Sequence, residues 1–192
     1  EPGLRLTLGK FARQQYSDGV QMSDVEINNT GLITPDDLVH TNEYFDFEIK
    51  DIRPIGRSVA VVIPLSKAIP THPVYRKFTV EGQWQNFVLD ANNAVYTSDP
   101  VNGVCPAPHS ISYTAGLTTG DTCLKLMIED GGPNDADGIA NGTVDDPGGI
   151  ANISNETLTK EETPETSSSG GSIGFISLLL IALVRIRKSM LR

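Results

Sequence analysis

The densest chemistry in this 192-residue chain lies between Ile128 and Gly149. The segment carries Glu129, Asp130, Asp135, Asp137, Asp145 and Asp146 and no basic residue. Carboxylates packed this closely repel one another unless a cation offsets their charge. Asp135-Ala136-Asp137-Gly138 is the middle of a D-x-D-x-D-G calcium loop, in which alternate carboxylates turn inward and glycine makes the sharp turn. Asn141, Asp145 and Asp146 are the later candidate ligands. Pro133 would stand at the first position of such a loop and Val144 at the twelfth, and neither offers a side-chain oxygen. The pattern is therefore not an EF-hand and lies nearer a thrombospondin-type or dockerin-like fragment. It predicts a loop folded back on itself around Ca2+, with Asp135, Asp137 and one of Asn141, Asp145 or Asp146 converging. The plainer alternative is a solvated, Asx-rich turn.

Other reactive residue types are scattered. His40, His72 and His109 have no metal-ligating partner at helical spacing and no serine in a nucleophile elbow. There is no G-x-x-x-x-G-K or G-x-G-x-x-G phosphate loop. With no catalytic constellation, the chain reads as a non-enzyme. Cys105 and Cys123 lack the paired spacing of a zinc site. They are either a disulfide formed in an oxidising compartment or two unrelated buried thiols, and the C-terminal tail described below favours the disulfide. Tyr75, Phe78, Trp84 and Phe87 fall on two neighbouring short strands. They are either a sugar-stacking platform or core, and core is favoured because aromatic side chains dominate burial in small sandwiches.

The whole chain has 24 acidic and 15 basic residues, a net charge of −9. Arg185, Arg187, Lys188 and Arg192 concentrate at the end, so residues 1–184 hold 24 acids against 11 bases, a net charge of −13. Such a body repels phosphate backbones, which excludes nucleic acid as a partner. It suits an extracytoplasmic domain or one that collects cations.

The elements that must position these groups read as β structure. Leu4, Leu6 and Leu8 alternate with Arg5 and Thr7. Phe45, Phe47 and Ile49 alternate with Asp46, Glu48 and Lys50. Leu124, Leu126 and Ile128 alternate with Cys123, Lys125 and Met127. Each is the period-two pattern of a half-buried strand. Val59-Ala60-Val61-Val62-Ile63 is apolar on both faces and predicts a central strand stopped by Pro64. Turn signals such as Ser17-Asp18-Gly19, Asn102-Gly103 and Asp130-Gly131-Gly132-Pro133 separate the strands. No segment shows a sustained helical period. Residues 1–150 are therefore expected to form an all-β, immunoglobulin-like β-sandwich.

Residues 151–172 are expected to be a disordered linker, because the stretch from 154 is Ser, Thr, Glu, Pro and Gly almost throughout. Residues 173–192 then read as a short hydrophobic helix with a basic end. Ile173, Phe175, Leu178, Leu179 and Leu180 supply its first half. Ile181, Leu183 and Val184 complete it, and Arg185, Arg187 and Lys188 follow. Twelve mostly apolar residues span about 18 Å as a helix, short of the roughly 30 Å hydrocarbon core. Snorkelling of Arg185 and Lys188 lengthens the span. The charge order predicts a membrane-inserted tail with its C-terminus cytoplasmic and the acidic domain outside. The chain opens Glu1-Pro2 without Met, and it is read as the C-terminal piece of a longer protein.

Two resemblances arise from these residues. Glu129 to Gly138, Ala140-Asn141-Gly142 and Asp146-Pro147-Gly148-Gly149 resemble the signature of the bacterial choice-of-anchor U domain. Val74 to Phe78, Trp84, Phe87 and Asp90-Ala91-Asn92-Asn93 are similar to its middle portion. Cys105 and Gly120-Asp121-Thr122-Cys123 are similar to its cysteine pair. The likeness covers roughly residues 3–150, and Asp145-Asp146 before Pro147 departs from the commoner single Asp. It implies a domain placed just before a C-terminal sorting signal in a surface protein, without enzymatic activity. Gly170-Gly171, the short apolar helix and the Arg-rich end resemble the GlyGly-CTERM sorting signal. That likeness implies a gammaproteobacterial cell-envelope, surface or secreted protein, cleaved near the glycines by a rhomboid-type intramembrane sorting protease and exported by type II secretion machinery. A eukaryotic GPI signal is a poorer match, since Gly171-Ser172 runs into Ile173 without a polar spacer. The expected function is a non-catalytic surface module. The alternatives are the accessory end of a secreted hydrolase whose catalytic domain lies upstream, and a carbohydrate-binding or adhesion module using Trp84.

Overall fold

The computed structural model describes residues 3–32, 44–79 and 81–153. The linker from residue 154, the Gly170-Gly171 pair and the apolar tail of residues 173–192 lie outside the described residues, as does His40. No described helix is long and apolar enough to cross a membrane.

The described chain is mostly β-sheet, in two sheets whose paired strands all run antiparallel. Sheet one contains β1 (Arg5–Leu8), β2 (Gln21–Met22), β3 (Tyr44–Lys50), β5 (Pro73–Phe78), β6 (Trp84–Asn86) and β10 (Val144–Asn152). Its order is β1-β3-β10-β5-β6, with β2 also on β3. Sheet two, in the order β4-β9-β7-β8, contains β4 (Ser58–Pro64), β7 (Ala94–Ser98), β8 (Thr114–Ala115) and β9 (Cys123–Glu129). The inward residues of both sheets form one core. Phe45, Phe47, Ile49, Tyr75 and Ile150 come from sheet one, and Val61, Ile63, Leu124, Leu126 and Ile128 from sheet two. Each such side chain contributes about 1.5–3 kcal/mol by burial.

Several expectations need correction. The Val59–Ile63 run is not central: β4 is the edge of sheet two and pairs with β9 alone among the described strands. Val59, Val61 and Ile63 are buried, whereas Ala60 and Val62 are half-exposed. Consecutive Val and Ile suit a pleated, half-buried surface, and that preference does not reveal how many neighbours a strand has. The boundary expected at residue 150 falls inside β10, which continues to Asn152. Within β1, Leu6 is half-exposed rather than inward.

The largest departure concerns β3. Its alternation implied that Asp46 and Glu48 face water, yet both are buried. The cause is α1 (Lys10–Gln15) and α2 (Asp24–Asn29), two helices too short to show a period in the sequence. They cover the outer face of sheet one. A second apolar cluster of Ala12, Met22, Ile27, Tyr44 and Ala151 forms there, with Phe11, Val74 and Trp84 packed against it. The edge strand beside β3 is broken in two: β1 pairs with residues 47–50, β2 with Tyr44 and Phe45, and α1 bulges out between them. At the break, Asp46 N donates to Val20 O (2.8 Å), and Gly9 N donates to Asp46 O (2.9 Å). Gly9, the residue before α1, supplies no side-chain cap. Asp46 caps the helix from the neighbouring strand instead, its Oδ2 accepting from Ala12 N (2.6 Å). A side chain at position 9 would displace this cap, because a Cβ there would sit 2.1 Å from Asp46 Oδ1.

Candidate functional site

The acidic segment is the crossover from β9 in sheet two to β10 in sheet one. It folds back on itself as expected, and the interactions that hold it are hydrogen bonds. Asp130 is buried and accepts three backbone N–H groups: Asn141 N on Oδ1 (3.0 Å), and Gly142 N (2.9 Å) and Gly56 N (2.8 Å) on Oδ2. Asp135 joins the two limbs, Oδ2 accepting from Gly131 N (2.8 Å) and Oδ1 from Asp145 N (2.9 Å). Asn134 pins the loop to Val88, accepting from its N (2.8 Å) and donating to its O (2.9 Å). Asp137 accepts from Ile139 N (2.8 Å) and Asn141 Nδ2 (2.7 Å). Gly131, at φ +78°, lies so close to the returning limb that a Cβ would stand 2.4 Å from Ala140 N.

The five candidate ligands therefore divide. Asp135, Asp137 and Asn141 share the loop, and Asp145 enters β10 from it. Asp146, one residue on, turns the opposite way, into the space between the sheets. Among the described residues, no group of three or more His, Cys, Asp or Glu side chains is arranged to hold a metal ion. Burial pushes the Asp135 carboxyl up to about 6 against the pull of its two N–H donors. Burial also raises Asp145, and Glu48 and Asp137 add to the effect.

A cavity of about 280 Å³ opens beside the loop, on the outer face of sheet one, lined in part by Phe11, Asp46, Glu48, Phe78, Asp137 and Asp145. Glu48 is neutralised by Arg13 and Lys50. Burial raises Asp46 to about 6 even though it caps α1.

Sequence reasoning missed a second constellation, in the interior. Lys77 of β5 and Asp146 of β10 form a salt bridge with side chains 1% and 0% exposed. Lys77 Nζ also donates to Asp145 O (3.4 Å). The Tyr75 hydroxyl adjoins Asp146, near enough to act on its charge, but no hydrogen bond of ordinary geometry joins them. Tyr75 Oη and Asp146 Oδ2 are thus buried side by side, each with no partner of ordinary hydrogen-bond geometry. Gly148 makes room for the phenol: a Cβ there would meet Tyr75 Cε1 and Oη at 2.8 Å. The available sequence signal was Lys77 itself, a lysine at an inward position of the Val74-to-Phe78 strand.

The remaining candidates are placed as follows. Cys105 and Cys123 form a disulfide, with Cα atoms 5.5 Å apart. It ties the segment after β7 to the first residue of β9. The aromatic group splits between two sites. Tyr75 and Phe87 meet edge-to-face in the main core, at 5.9 Å between ring centres. Phe78 lies against Phe11 and Trp84 on the outer face, at 5.9 and 5.4 Å. His72 and His109 are exposed. No protein-family model matches the chain, and no curated protein or solved structure matches it.

Proposed function

We propose that the chain is a non-catalytic, immunoglobulin-like display module from the C-terminal region of a bacterial surface or secreted protein. In this reading it stands outside the cytoplasm on the Ser/Thr/Glu linker. The Gly170-Gly171, apolar and basic tail routes it through the membrane, a rhomboid-type sorting protease and type II secretion. The observation that carries the reading is the Cys105–Cys123 disulfide, which uses both cysteines of the chain. Such bonds form and persist in oxidising, extracytoplasmic compartments. The acidic body and the short apolar segment followed by Arg185, Arg187 and Lys188 support the same orientation.

Display is favoured over sugar stacking by the surroundings of Trp84. Its ring packs against Phe78 and the second apolar cluster, and its Nε1 is buried. The test is cell fractionation and intact-mass analysis of the protein from a gammaproteobacterial host. The expected product is extracytoplasmic, oxidised at Cys105 and Cys123, and ends near Gly171. A cytoplasmic product with free thiols and an intact Arg192 end would overturn the reading.

A further inference from the structure

Lys77 and Asp146 lie on neighbouring strands of sheet one and both turn into the interior shared with sheet two. Lys77 is paired in register with Gly148, so Asp146 is its diagonal neighbour on the same face of β10. A long side chain reaches across that diagonal. The neighbours on that face are aromatic. Phe47 stands opposite Asp146, Phe45 opposite Gly148, and Tyr75 precedes Lys77 on the same face of β5. All three aromatic residues are at most 2% exposed.

As an ion pair this arrangement is incomplete. Removing two charges from water costs more than their attraction returns unless the remaining lone pairs and protons find partners. Here Asp146 Oδ2 has no partner of ordinary hydrogen-bond geometry, and the Tyr75 hydroxyl beside it acts on it. Among the described residues the Lys77 ammonium has one carboxylate oxygen and one carbonyl to serve its three protons.

We propose that Lys77 and Asp146 condense to an intramolecular amide bond that clamps β5 to β10. Transfer of one proton within the pair turns it into a neutral amine and a neutral acid. Burial favours that form, drawing Lys77 below and Asp146 above their ordinary ranges. Lys77 Nζ attacks Asp146 Cγ, a C–N bond forms and one C–O bond breaks. The departing oxygen leaves as water, carrying its own hydrogen and one from the amine. Nothing is oxidised or reduced, and no co-reactant is consumed. The Tyr75 hydroxyl, kept protonated by burial, lies beside the carboxyl oxygens, where negative charge develops in the tetrahedral intermediate. The product places a neutral amide where two buried charges stood. It also fixes the strand that leads into the linker, whatever the chain displays.

The test is intact-mass analysis of the purified, denatured chain, followed by peptide mapping. The expected mass is that of the disulfide-bonded sequence less one water. The map should contain a branched peptide joining the segments around Lys77 and Asp146. Asp146→Asn should reach the same product by losing ammonia, so its mass should converge on that of the wild type. Lys77→Met should show no loss. Dehydration at an Asp-Gly pair, such as Asp130-Gly131, produces the same change in mass, so a water loss that persists in Lys77→Met overturns the proposal. A wild-type mass with no loss overturns it as well, and that measurement needs no variant to fold.

Discussion

Asp130→Ala deletes the acceptor for three backbone N–H groups at once, and this makes it the sharpest probe of the acidic loop. The three donors come from separate places. Gly56 lies in the turn between β3 and β4, while Asn141 and Gly142 lie on the returning limb of the loop. Asp130 is 2% exposed, so water does not readily replace its carboxylate. A hydrogen bond to a charged group contributes about 1.5–3 kcal/mol, and a buried donor left unpaired carries the desolvation cost besides. The three bonds share one carboxylate and are not additive. Partial access of water to the Asn141 limb lowers the total further. The working expectation is a loss of about 3–5 kcal/mol out of the roughly 5–15 kcal/mol typical of a domain. At about 2–4 °C per kcal/mol for a chain of this size, the melting temperature should fall by roughly 10 °C. Urea unfolding should show a lower midpoint with an unchanged slope. Asp130→Asn keeps one acceptor oxygen but turns an amide toward an N–H, so it should fall between wild type and alanine. Asp99→Ala, at an exposed position, should stay within about 0.5 kcal/mol. If Asp130→Ala costs less than about 1 kcal/mol, the loop is not held by this carboxylate and the reasoning fails.

Three further outcomes are expected. Asp46 and Asp135, both raised to about 6 in the folded chain, bind protons more tightly folded than unfolded; their stabilising contribution is complete below about 4 and is lost as pH rises through about 6. Glu26, held low by Ser17 and Ser23, and Glu48, which burial raises but Arg13 and Lys50 hold low overall, act oppositely as pH falls below the ordinary carboxylate range, so urea stability should peak at about pH 4–5. Asp46→Asn, which can still cap α1, should remove about 2 kcal/mol of the difference between pH 4 and pH 7; a profile identical to wild type would refute the assignment. Cys105→Ser with Cys123→Ser should cost about 3 kcal/mol, the loop-closure value for an 18-residue separation, and wild type in reductant should unfold at the same lower urea midpoint. Melting in excess chelator and in millimolar calcium tests the loop for a cation, since each Asp135 oxygen accepts one backbone N–H and keeps a lone pair; a rise with calcium would support a site at Asp135, Asp137 and Asp145, and an unchanged temperature would leave the loop held by its hydrogen bonds.

The parts of the fold legible in the sequence were those set by local periodicity. Leu124, Leu126 and Ile128 alternate and are buried on one face of β9. The apolar face of β3 was equally clear. Its other face was not, because whether Asp46 and Glu48 meet water depends on a segment some thirty residues earlier in the chain. One trace of that segment stands in the sequence: Ser23-Asp24-Val25-Glu26 is a capping box. Ser23 N donates to Glu26 Oε2 (2.7 Å) and Glu26 N to Ser23 Oγ (3.3 Å). The six-residue helix it starts is too brief to register as a period. The place of β4 at a sheet edge was hidden for a different reason, since strand order is set by which connections cross between sheets and period-two patterning carries no record of it.

The acidic loop shows a limit of another kind. Calcium coordination and the capture of backbone N–H groups make the same demand on composition. Each requires carboxylate and amide oxygens aimed at a positive centre, with glycines that let the backbone turn sharply around it. A crossover between two sheets leaves its N–H groups outside any ladder, and those near the core need acceptors. Asp130 meets that need from the end of β9, and Asp135 from within the loop. Asp146 answers a third demand, the charge of a lysine inside the sandwich. Adjacent aspartates at 145 and 146 look like a pair of ligands when written in a line. In a strand they point to opposite faces, so one lines the outer cavity and the other enters the core. Spacing identifies carboxylates that have a partner, while strand parity and burial decide whether that partner is a cation, an amide or an amine.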